Sequence, residues 1–302
     1  MSIEVKDIYF SYGKIMALDG VSLDLDQGAI GLLGPNGAGK STLIRIMLGF
    51  LSASRGEGRI LDYDIKTQQA EIRRYVGYMP EDDCFIPELD AVSFTSYLGE
   101  LSGMPRQEAM KRAHEVLYYV GLEESRYRKV ETYSGGMKQR LKLAQALVHD
   151  PKLMFLDEPT SGLDPQGRTE ILELIMDISS KKNIQALISS HILPDIELTC
   201  SYVVILNKGK VAAEGDISKL KEIRDLYEIK LKGETQGFLD RLKERKCRVE
   251  EIEDGILKVY TPSGYNRQEF FKIAAEEKVQ LRHFVKSQSS LEDLFADAVG
   301  VD

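Results

Sequence analysis

Residues Gly34, Pro35, Asn36, Gly37, Ala38, Gly39, Lys40, Ser41 and Thr42 follow the spacing G-x-x-x-x-G-K-[ST]. Glycines at these intervals let backbone N–H groups wrap an anion without Cβ clashes. The lysine carries a mobile positive charge to the β- and γ-phosphates of a nucleotide, and the Ser41 hydroxyl suits Mg2+. The chemistry this stretch points to is nucleotide phosphate binding.

A second constellation lies at 152–164, KLMFLDEPTSGLD. The apolar run Leu153 to Leu156 pushes Asp157 and Glu158 to the end of a buried strand, where open α/β sheets place their ligand crevice. Asp157 suits a Mg2+ shell, reached through water. Glu158 is then placed to orient or deprotonate an attacking water. His191 follows another apolar strand and the pair Ser189–Ser190, where it can donate to a γ-phosphate near neutral pH. Tyr12, in a loop before the first motif, offers an aromatic face for an adenine ring. Ser134, Gly135 and Gly136 open an amphipathic segment, and a helix N-terminus behind glycines is a second anion site. His114, His149 and His283 are read as structural.

These residues need a scaffold. Segment 29–34 is a short apolar strand, and the residues from Lys40 onward read as a helix, giving the strand–loop–helix order a phosphate loop requires. Residues 1–30 alternate apolar and polar as antiparallel strands. The pattern turns helical from about 88 to 150, where Met137, Leu141, Ala144 and Val148 recur on one face. Strands at 152–158 and 185–191 flank a crossover helix over 165–182 with Pro165 in its first turn, and 202–215 reads as a hairpin turned at 207–209. After about 220 the order becomes β-α-β-β-α-β, ending in a short helix over 290–299. The fold class expected is α/β, a P-loop NTPase core with an antiparallel β subdomain and a helical subdomain. A C-terminal α+β ferredoxin-like (βαββαβ) domain follows. The domains expected are 1–220, including the helical block 88–150, and 221–302.

The composition narrows the partners. A net charge of −8 argues against a nucleic-acid partner. Cys84, Cys200 and Cys247 are scattered and read as reduced thiols. Charges begin at the fourth residue, which is unlike a signal peptide, and no apolar run approaches the ~20 residues that span a bilayer. A soluble, cytoplasmic chain is expected, with any membrane role exerted through a partner.

The motifs occur in order, each once, and together resemble the ATP-binding subunit of an ATP-binding-cassette (ABC) transporter over roughly residues 1–220. The resemblance implies that Tyr12 stacks on adenine, 34–42 is the phosphate loop, and Ser134, Gly135 and Gly136 are the signature. It implies that Asp157 is the metal-site acid, Glu158 the catalytic base, Asp164 a dimer-contacting loop acid and His191 the switch histidine. The segment NKGK at 207–210 lacks the aspartate of a guanine-specific N-K-x-D, which sets a GTPase aside. One position departs from the family: Glu81 stands where a metal-site Gln is usual. That substitution, with the C-terminal appendage, resembles the subfamily paired with drug-exporter-like (ABC-2-type) permeases.

The resemblance further implies ATP and Mg2+ as cofactors and a head-to-tail homodimer with ATP at its interface. It implies separate polytopic permease subunits, and hence a peripheral place on the inner face of the cell membrane. The alternatives are a soluble, non-transport ABC ATPase and a non-hydrolysing binding module. The appendage is a stabilising or dimerising unit or a regulatory one.

Overall fold

Continuous apolar runs favour strands buried on both faces, and four such runs make the central sheet. They are β3 (Ala29–Leu33), β7 (Leu153–Asp157), β8 (Gln185–Ser190) and β9 (Tyr202–Asn207). In the computed structural model β6 (Val76–Met79) and β10 (Lys210–Asp216) complete a six-stranded sheet in the order β10-β9-β3-β8-β7-β6. The pairs β3–β8, β3–β9, β6–β7 and β7–β8 are parallel. The structure describes residues 3–26, 28–181, 184–222, 225–251, 255–262, 264–288, 291, 292 and 295.

The alternating N-terminal segments pair as β1 (Ile3–Tyr12) and β2 (Ile15–Leu25) in a second, four-stranded sheet. Its other members, β4 (Arg55–Ile60) and β5 (Tyr63–Asp64), give the order β2-β1-β4-β5. Leu18, Leu23, Ile44, Ile60 and Phe155 are fully or almost fully buried in one cluster, so both sheets and α1 (Lys40–Met47) share a core. The helical block consists of α3 (Ala91–Leu101), α4 (Arg106–Tyr119) and α5 (Gly135–Leu147). Burial on α5 is wider than the single apolar stripe expected, because Gln139 and Lys142 are buried with Leu141, Leu143 and Leu147. The crossover helix is α6 (Pro165–Lys181), and α7 (Leu193–Thr199) follows His191. The segment after α1 also folds α2 (Gln69–Tyr75), which the periodicity did not announce.

The chain divides into two compact units, residues 1–215 and 216–302, the boundary falling at the end of β10 rather than at 220. The second unit begins with α8 (Ile217–Glu222) and β11 (Asp225–Lys232). It continues with α9 (Gln236–Glu244), β12 (Arg248–Glu251), β13 (Ile256–Tyr260), α10 (Gln268–Glu276) and β14 (Gln280–Gln288). Its strands run antiparallel in the order β12-β13-β11-β14. Tyr227, Ile229, Phe238, Leu242, Val259 and Phe270 form its core. The closing helix expected over 290–299 lies largely outside the described residues.

Candidate functional site

The glycine-rich loop of residues 34–39 leaves the C-terminal end of β3 and enters α1 at Lys40. Gly39 caps that helix with φ +109°, and a Cβ there would lie 2.7 Å from the Ala17 carbonyl. Gly34 is equally constrained, since a Cβ would come within 2.4 Å of the Leu206 carbonyl oxygen. Glycine is therefore required at both positions by contact with the backbone of neighbouring segments at Ala17 and Leu206. The Gly34 N–H donates to the Ser190 carbonyl at 3.3 Å, tying the loop to the end of β8.

Lys40, only 6% exposed, folds back over this loop. Its Nζ donates to the Gly34 carbonyl at 2.8 Å and to the Pro35 carbonyl at 3.4 Å, and lies 3.0 Å from Glu158 Oε1. Glu158 Oε2 in turn meets His191 Nδ1 at 2.8 Å. Glu158 has φ +47°, a left-handed conformation that costs a non-glycine residue about 1 kcal/mol or more. The strain is held in place because its N–H donates to Ser189 Oγ at 2.9 Å.

Asp157 is wholly buried. Its Oδ1 accepts from Ser189 Oγ at 2.6 Å and from Ser41 Oγ at 3.0 Å, while Oδ2 is buried without a hydrogen-bond partner. Burial pushes the Asp157 carboxyl above the usual carboxylate range, against the two hydroxyl bonds. A buried carboxylate oxygen with no donor, beside a serine hydroxyl at a phosphate loop, is the hard-oxygen donor set that Mg2+ takes together with phosphate and water. These residues fit the ion.

The remaining expected residues are placed differently. Glu81 is solvent-exposed on the loop after β6. Partial desolvation, and then the charges of Asp157 and Glu158, raise its carboxyl, with Lys40 opposing them. Tyr12 closes β1 instead of sitting in a loop, because it pairs with Ile15 across the two-residue turn at Gly13. Its ring is 47% exposed and stands edge-on to Phe10 at 4.9 Å, which leaves a face open. Ser134, Gly135, Gly136 and Asp164 line a separate cleft of about 470 Å³ with Gly162 and Leu163, and none of residues 34–42 contributes to its walls. Ser134 caps α5, its hydroxyl accepting from the Met137 N–H. The single chain thus brings Lys40, Ser41, Asp157, Glu158 and His191 together and holds the Ser-Gly-Gly turn apart from them.

A larger hollow of about 680 Å³ on the antiparallel sheet is walled by Glu4, Lys6, Asp24, Glu57 and Arg59. Ser189 and Asp195 escaped the sequence reading. Ser189 was visible only as a hydroxyl after an apolar strand. The buried Asp195 accepts from Thr160 Oγ1 and from Arg168 Nε, both at 2.5 Å, and so ties the loop after Glu158 to α6 and α7.

The family model described as "ABC transporter" matches residues 18–161. The chain is 34% identical to the bacitracin transport ATP-binding protein BcrA of Bacillus licheniformis, over 99% of this chain and 97% of that protein. It is 31% identical to the linearmycin resistance ATP-binding protein LnrL of Bacillus subtilis (strain 168), over 99% and 98% respectively. Among solved structures it resembles the dimeric MJ0796, a bacterial ABC transporter cassette. That likeness has a TM-score of 0.65 and 26% identity, covering 71% of this chain and 98% of that one.

Proposed function

The chain belongs to the ATP-binding proteins of ABC transporters, and from that premise we propose that it is the energy-coupling subunit of an exporter, driving a separate membrane permease. ATP binding and hydrolysis come with the family. The roles of individual residues are our assignment. The observation that carries it is Glu158, held in a strained conformation at the end of a buried strand between Lys40 and His191.

In this reading residues Gly34 to Thr42 wrap the phosphates and Tyr12 stacks on the adenine. Glu158 orients the attacking water and takes its proton, while His191 holds the carboxylate and meets the γ-phosphate. Ser41 and Asp157 would hold Mg2+, with Glu81 at the edge of the same field. The ion, when bound, neutralises phosphate charge. Lys40 changes partner from Glu158 to the phosphates as ATP enters, which frees the carboxylate to act as a base.

Two copies pair head to tail. The cleft of Ser134, Gly135, Gly136 and Asp164 from one copy closes on the ATP held by residues 34–42 of the other. This is supported by the separation of the two half-sites within one chain and by the dimeric form of the related cassette. The unit of residues 1–215 is the ATPase domain, and the helices of 88–150 meet the permease. The unit of residues 216–302 is a ferredoxin-like accessory domain, a reading supported by the strand order β12-β13-β11-β14. Among the described residues no helix is long and apolar enough to cross a membrane, and we place the protein at the inner face of the cell membrane through its permease. The exporter reading follows the printed names of the bacitracin-transport and linearmycin-resistance relatives.

Affinity capture of the tagged chain from detergent-solubilised membranes tests this. Co-purification of a multi-span membrane protein, with ATPase activity that changes when the pair is reconstituted, is the expected result. Recovery with ribosomes or other soluble assemblies alone would overturn it in favour of a non-transport ATPase.

A further inference from the structure

Lys142 is 2% exposed, and its ammonium group takes no part in the phosphate site. An ammonium has three protons to place, and three acceptors surround this one. They are the Glu81 carbonyl at 2.6 Å, the Pro80 carbonyl at 3.3 Å and Asp83 Oδ1 at 3.4 Å. The other Asp83 oxygen accepts from Lys138 Nζ at 2.7 Å. Lys138 and Lys142 lie one turn apart on α5, on the same face. Although burial works against it, this pair of cations, Lys138 first, holds the Asp83 carboxyl below the usual range.

The segment held this way, residues 80–85, has no regular secondary structure. It therefore lacks the ladder of backbone bonds that would otherwise fix where Glu81 points. A buried lysine is costly unless its protons are all satisfied, and here two of the three acceptors are the backbone carbonyls of Pro80 and Glu81. The same helix begins with the Ser-Gly-Gly turn, so the tie fastens the Glu81 loop to the element that presents Ser134.

We infer that Lys142 is a positioning residue for ATP hydrolysis, clamping the backbone at Pro80 and Glu81 so that the Glu81 carboxylate is held toward Asp157 and Glu158. This rests on the reading of Glu81 as part of the ATP site. Lys142 acts through Glu81 and contributes nothing to nucleotide affinity, which residues 34–42 supply.

A double-mutant cycle on the full-length chain tests it, with kcat and KM for ATP hydrolysis and melting temperature measured for Lys142→Met, Glu81→Ala and the pair. Misplacing a site group by about an ångström costs on the order of tenfold or more in rate. Lys142→Met is accordingly expected to lower kcat about tenfold, with KM changed less than about twofold. In the Glu81→Ala background the same change should lower kcat by less than about twofold, because the group it positions is already gone. Should Lys142→Met melt below the assay temperature, Lys142→Gln, which keeps one donor for a carbonyl, replaces it in the cycle. An equal fall in both backgrounds, or an unchanged kcat in the Lys142 variant, would overturn the inference. Glu81→Ala at the parent rate would overturn it too, by removing Glu81 from the site, while leaving the ATPase assignment untouched. A parent chain without ATPase activity would sink that assignment itself.

Discussion

Lys40 Nζ stands 3.0 Å from Glu158 Oε1, both side chains almost fully buried. The cation we assign to the phosphates lies against the carboxylate we assign to the water. In the proposed cycle ATP separates them. A buried ion pair is weak as a source of net stability, but it is expensive to leave half-made.

Glu158→Gln removes the negative partner and keeps the shape. Hydrolysis should fall by at least about a hundredfold, the usual cost of losing a general base. Lys40 is then left with two carbonyls and no counter-charge, so the nucleotide-free variant should melt lower than the parent. ATP supplies the missing charge, and the rise in melting temperature on adding ATP should exceed that of the parent. Differential scanning fluorimetry with and without ATP reads both terms, and equal ATP-induced shifts in the two proteins would refute the exchange of partners.

Ser189 carries more of the site than its place in the sequence announced. Its hydroxyl donates to Asp157 and accepts the Glu158 N–H, so one side chain holds the Asp157 carboxylate and the Glu158 backbone. Ser189→Ala leaves a buried N–H without an acceptor beside a residue at φ +47°, which should cost roughly 1–3 kcal/mol of stability. Once the anchor is lost, Glu158 can relax toward an ordinary backbone conformation. A lower kcat with ATP affinity close to that of the parent is expected. Full activity in the alanine variant would show that the strained geometry needs no such anchor.

Most of this arrangement was legible wherever short-range pattern determines position. Phosphate-loop glycines, an apolar run ending in Asp157 and Glu158, and a histidine after a buried strand all report local geometry, and parallel strands bring their C-terminal ends to one edge. The sequence was silent where the fold joins distant segments through single polar atoms. Nothing near Lys142 in the chain indicates that its ammonium reaches the Pro80 carbonyl. Asp195 likewise drew no reading from the sequence, although it is buried and bound to Thr160 and Arg168. Tyr12 was misplaced in a loop because its pairing with Ile15 depends on a two-residue turn that alternation alone does not locate.

The separation of the Ser-Gly-Gly cleft from residues 34–42 makes stoichiometry testable. Lys40→Met and Ser134→Glu should each abolish hydrolysis, the first by removing the phosphate cation and the second by placing a carboxylate against phosphate. A heterodimer of the two variants contains one intact composite site. With free exchange and independent sites, an equimolar mixture should recover about a quarter of the parent rate, as random pairing in a two-fold dimer dictates. Recovery of no activity in a mixture shown to contain heterodimers would count against shared sites.

His149 lies just past the C-cap of the helix that Ser134 caps, and it predicts an acid limit to stability. Its ring lies 3.2 Å from the Val76 carbonyl through Nε2. Burial pushes the imidazole below its ordinary range, outweighing the help that this bond and Asp150 give the protonated form. The unfolded chain therefore takes up a proton near pH 6.5 while the folded protein does not. Between that pH and the lower folded value the unfolded state binds more protons, so stability is lost as pH falls through this window and levels off below it. His149→Gln keeps an N–H donor for the carbonyl but cannot titrate. Melting curves at pH 7.5 and 5.5 should show a larger loss for the parent than for the glutamine variant. Identical losses in the two proteins would assign the acid sensitivity to other groups.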